Sequence, residues 1–69
     1  MTVEQMVKMA CSYAGVSLSE LARRIGFTPQ NLHQRLVVGK LTVAELEKIA
    51  SALGGEYTFG IRFPDGTTI

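Results

Sequence analysis

The feature that most constrains this chain is its punctuation. Hydroxyl residues able to cap a helix recur at Thr2, Ser17, Thr28 and Thr42, and glycines able to close one follow at Gly15, Gly26, Gly39 and Gly54 or Gly55. Three of the four starts carry Glu or Gln three residues on (Thr2 with Gln5, Ser17 with Glu20, Thr42 with Glu45), the spacing of a capping box. The fourth has Pro29 at the first helical position, where a missing N–H costs nothing. A chain marked this way has room for four short helices with tight joints and little else.

Hydrophobic spacing fills in the helices. Val3, Met6, Val7, Ala10, Tyr13 and Ala14 repeat at helical period, as do Leu18, Leu21, Ala22 and Ile25. Leu32 and Leu36 are the inward pair of the third helix, and Val43, Leu46, Ile49, Ala50 and Leu53 form the stripe of the fourth. From residue 55 the period changes to two: Tyr57, Phe59, Ile61 and Phe63 alternate with Thr58, Gly60 and Arg62. Pro64-Asp65-Gly66 is a turn signal and Thr67–Ile69 suit a short returning strand. The expected division is therefore 1–54 helical and 55–69 a β-hairpin.

Length and residue counts narrow the functional classes. Sixty-nine residues make one domain. The single Cys11 excludes an internal disulfide, and with a single His33 no Cys/His zinc site can be assembled. No catalytic pairing of nucleophile and titratable group emerges, so neither an enzyme nor a cofactor is expected. Apolar runs are too short to cross a bilayer and the N-terminal stretch lacks the apolar core of a secretory signal, which points to the cytoplasm and away from a membrane partner. The net charge of +1 hides an asymmetry: residues 15–40 carry +3 and the remainder −2.

The informative stretch runs from Leu18 to Leu36. The link Gly26-Phe27 is too short for its flanking helices to lie antiparallel, so they must cross steeply. Ala22 is small where the crossing needs close approach, Gly26 can take a positive φ, and Leu32 packs back on the preceding helix. This is the spacing of a helix-turn-helix.

At this point the sequence SLSELARRIGFTPQNLHQRL resembles the phage repressor and Cro-like helix-turn-helix proteins of the XRE family, and LTVAELEKIASALG is similar to the helix that follows it there. The resemblance covers about residues 2–54. The segment VVGKLT departs from the family spacing, with Arg35 where many relatives keep an apolar residue and Leu36 in the buried role. The resemblance implies a mainly α, four- to five-helix repressor-like domain that binds double-stranded operator DNA as a dimer, usually to repress transcription.

On that reading the third helix, residues 28–38, enters the major groove. With Leu32 and Leu36 inward, Gln30, Gln34 and Val37 face outward and Asn31 and His33 flank them. Amide side chains pair two-pronged with adenine, and Thr28 sits at the end of the helix that reaches base edges. Thr28, Gln30, Asn31, His33 and Gln34 are thus the expected base contacts. Ser17, Ser19, Arg23, Arg24, Arg35 and Lys40 are the expected phosphate contacts, although Ser17 can equally serve as a cap and Arg23 and Arg24 can pair with Glu20. Tyr57, Phe59, Ile61 and Phe63, read as one long strand with an unpaired edge, are expected to join two copies in a homodimer. The competing function is a protein-interaction module or antitoxin that docks partners through the same strand. No small-molecule ligand is expected in either case.

Overall fold

The computed structural model describes residues 2–58 and 61–69. Four helices, α1 (Val3–Ala14), α2 (Leu18–Arg24), α3 (Pro29–Val38) and α4 (Val43–Ala52), precede a small antiparallel sheet of β1 (Glu56–Tyr57) and β2 (Ile61–Arg62). Among the described residues no helix is long and apolar enough to cross a membrane.

The helix starts follow the expected chemistry. Thr2 and Thr42 form full capping boxes with Gln5 and Glu45, each hydroxyl accepting from the backbone and each long side chain returning to the cap. Ser17 and Thr28 accept from the backbone N–H groups of Glu20 and Asn31 at 3.0 and 3.1 Å. The Ser17–Glu20 box is only half made, because the Glu20 carboxylate turns to Arg23 and Arg24 instead. The α2–α3 joint depends on Gly26, whose φ of 80° lets the next residue, Phe27, donate its N–H to the carbonyl of Ala22 at 2.8 Å.

One core joins all these elements. Val7, Ala10, Leu21, Ala22, Ile49 and Ala50 are fully buried, and Leu32 and Leu36 nearly so. Val43 departs from the expected α4 stripe and stands exposed. The buried residues Leu46, Ile49, Ala50 and Leu53 centre the stripe about 70° around the helix from Val43 at 100° per residue, and a first-turn side chain there projects past the edge of the core.

The C-terminal segment corrects the expectation of one long strand. Tyr57 pairs with Ile61 and Glu56 with Arg62, so two short strands run antiparallel where one long strand was expected. Ile61 also exchanges both backbone hydrogen bonds with Ile69, Phe63 donates to Thr67 at 2.7 Å, and Arg62 bridges Thr68. The expected Pro64–Gly66 turn is present, but the 61–63 segment is flanked on both sides rather than left with a free edge. The physical reason is that Ile61 and Phe63 complete the helical core, at 1% and 6% exposure, and pairing on both sides removes the bare edge as well. Tyr57 packs half-buried against the same core. Of the expected dimer residues, Ile61 and Phe63 are thus buried in the core of their own chain and Tyr57 is partly buried against it, while Phe59 lies outside the described residues.

Candidate nucleic-acid interface

The site is best built from α3. Its caps set its ends: Thr28 and Pro29 at the start, and Gly39, with φ 71°, at the finish. Leu32 and Leu36 hold it to the core, so by helical geometry the opposite face has nowhere to go but solvent. Pro29, Gln30, Asn31, His33, Gln34, Val37 and Val38 are all exposed. No Asp or Glu occurs anywhere in Pro29–Val38. The face therefore offers amides, an imidazole and two valines, without a carboxylate to repel phosphate.

The expected base contacts come together here, with one qualification in roles. Gln30, Asn31, His33 and Gln34 share the exposed surface, while the Thr28 hydroxyl oxygen already accepts the Asn31 N–H, which leaves its hydrogen and one lone pair to offer. His33 lies near α1, where its charge adds to the forces on Glu4. That carboxyl is held below its ordinary value first by the hydrogen bond from Lys8.

The cations divide sharply. Arg23 and Arg24 both pair with Glu20, and Arg24 also donates to the Ala52 carbonyl at 2.9 Å, tying α2 to the C-terminal end of α4. Arg35 pairs with Glu45 of α4 and stacks its guanidinium 5.0 Å over the Phe27 ring. Arg35 is thus held between an aromatic ring and a carboxylate. Lys40, just beyond α3, is exposed and makes no ion pair among the described residues. Of the expected phosphate contacts, Lys40 is free, Arg23 is loosely held at 72% side-chain exposure, and Arg24 and Arg35 have structural work. Ser17 acts as a cap and Ser19 is exposed.

Sequence reasoning missed the Arg35–Glu45 pair, which spans two helices and leaves no local signal. It also missed the exposure of Val38 beside Val37. Cys11 is buried, and burial raises its thiol pKa, which suits a packing residue. Comparison with known proteins finds no matching family model, no matching curated protein and no matching solved structure.

Proposed function

We infer that this chain is a sequence-specific DNA-binding regulator, a repressor of the XRE helix-turn-helix kind acting in the cytoplasm, with α3 laid in the major groove. The observation that carries the reading is the outward face of α3: three carboxamides and an imidazole, no carboxylate, and a mount made by the α2–α3 turn and the Arg35–Glu45 clamp. Gln30 and Gln34 pair with adenine edges, Asn31 and His33 reach neighbouring positions, and Lys40 and Arg23 meet phosphates on either side.

One such helix spans too few base pairs for useful specificity, so two copies bind half-sites about 34 Å apart. The contact between copies does not use Ile61 and Phe63. With two cations per copy engaged, binding weakens with salt at a slope of about −2 per copy, at about −0.9 per phosphate.

Selection of bound sequences from random duplexes, followed by gel shift on the selected site, tests the reading. A discrete complex with a recovered two-fold motif is the expected result, and failure to retain any duplex at low salt refutes it. Within that assay Gln30→Ala and Gln34→Ala each cost about 1–3 kcal/mol on the selected site and little on random DNA. Equal losses on both would remove them from base reading.

A further inference from the structure

Pro64, Asp65 and Gly66 are exposed at the hairpin turn, and Asp65 is the only aspartate in the chain. An aspartate followed by glycine carries a reaction of its own. With no side chain on Gly66 to obstruct it, the Gly66 nitrogen can attack the carboxyl carbon of Asp65. A C–N bond forms, the carboxyl hydroxyl leaves with the amide proton as water, and a five-membered succinimide results. A second water then opens the ring at either carbonyl. One opening restores aspartate. The other leaves isoaspartate, with the backbone routed through the side chain and one carbon longer. Water is lost and regained, so the chain keeps its mass.

The folded turn opposes each part of that step. The attacking group is occupied, since the Gly66 N–H donates to the Phe63 carbonyl at 3.0 Å. The carboxylate is occupied as well: its Oδ1 accepts the Thr67 N–H at 2.9 Å and its Oδ2 accepts the Tyr13 hydroxyl. These bonds, that of Tyr13 foremost, hold the carboxyl below its ordinary value and so disfavour the protonated acid from which water departs. Tyr13 belongs to α1 and its ring packs on Phe63, so its grip on Asp65 exists only while the hairpin is docked. We propose that Asp65-Gly66 is a latent isomerisation site and that Tyr13 guards it by engaging the Asp65 carboxylate. The first helix thus protects the last turn. A lapse leaves a lasting mark. The longer backbone of isoaspartate puts Thr67 and Ile69 out of register with Phe63 and Ile61, the two side chains that complete the core. A chain that lingers unfolded is therefore altered covalently, and a folded one is spared.

The test ages the full chain at neutral pH, in buffer and in guanidinium chloride. Isoaspartate is followed by enzymatic methyl labelling and located by fragmentation in the mass spectrometer. Wild-type protein is expected to isomerise at least about ten-fold more slowly folded than unfolded, as for a segment open less than about a tenth of the time. Tyr13→Phe, which keeps the ring and removes the hydroxyl, is expected to speed the folded-state reaction about three- to ten-fold, the factor for one hydrogen bond, and to leave the rate in guanidinium unchanged. Leu32→Val, which lowers global stability from within α3, is expected to stay at the wild-type rate while folded. Equal rates for folded and unfolded wild type overturn the proposal, as does a Tyr13→Phe rate indistinguishable from wild type. If Leu32→Val speeds the reaction as much as Tyr13→Phe does, global unfolding sets the rate and Tyr13 is no guard. If no isoaspartate forms at residue 65 even in guanidinium, the site does not exist.

Discussion

The outer face of α3 and the segment 57–63 both read in sequence as surfaces waiting for a partner, and they end differently. The α3 face stays in solvent, whereas Ile61 and Phe63 are drawn into the core of their own chain. The difference lies in what each can gain at home. Gln30, Asn31 and Gln34 would forfeit hydrogen bonds to water on burial, so no internal site competes for them. Ile61 and Phe63 are aliphatic and aromatic, and the core of four short helices is unfinished without them. In a domain this small, an apolar segment is recruited inward before it is available outward.

The largest test of that contrast is truncation of the two kinds of side chain. Ile61→Ala and Phe63→Ala should each lower unfolding free energy by about 2–5 kcal/mol in chemical denaturation, while Gln34→Ala stays within about 0.5 kcal/mol. A silent Ile61→Ala would return the hairpin to the status of an appendage. Removal of everything after Gly55 should for the same reason unfold the helices rather than merely separate copies.

Next in size is Gly55→Ala. A Cβ there would stand 2.5 Å from the Arg62 carbonyl oxygen and 2.6 Å from Ile61 Cγ2, so the chain leaving α4 would be pushed off β2. A loss of about 1–3 kcal/mol is expected, read as a lowered denaturation midpoint; an unchanged midpoint would mean that the contact between Gly55 and β2 is loose.

A smaller effect separates the cations around α3. Lys40→Ala should flatten the salt dependence of DNA binding by about one unit and leave thermal stability unchanged. Arg35→Ala should do the reverse, because its charge is engaged by Glu45 and Phe27. Matching behaviour of the two variants would erase the distinction between free and committed cations.

The smallest concerns the outer end of the hairpin. Tyr13 packs tilted against Phe63, with ring centres 4.5 Å apart, and donates its hydroxyl to Asp65, with the Thr67 hydroxyl 3.2 Å away. The Tyr13 hydrogen bond, with those from Thr67, holds the Asp65 carboxyl below its ordinary value. A depressed folded-state pKa gives stability that is present above the unfolded value near 4 and lost as pH falls through the folded value. Acid titration of stability should therefore be slightly shallower in Asp65→Asn than in wild type; identical profiles would mean that the contact contributes nothing.

The helices were legible because their signals are local: a hydroxyl, a carboxamide or carboxylate three residues on, and a glycine at the end determine where Val3–Ala14 and Val43–Ala52 begin and stop. The outward set on α3 was legible for a related reason, since Leu32 and Leu36 alone orient the helix. The pairing of Glu56–Tyr57 with Ile61–Arg62 was not legible. Alternation of Tyr57, Ile61 and Phe63 is satisfied equally by one long strand and by two short antiparallel ones, and only the space left by the helices decides. The Glu20 pairing of Arg24 was legible within its own helix, but its bond to the Ala52 carbonyl and the Arg35–Glu45 pair were not, because in each the partner comes from α4. Charge counted along the chain overstated the charge available to a ligand.

Ile61 and Phe63 also impose an order in time. The helices that they complete are synthesised first, at about 5–20 residues per second. The four helices leave the ribosome before the side chains that close the core beneath α3. The nascent protein thus passes through a stage in which the apolar floor is open to water and to other chains.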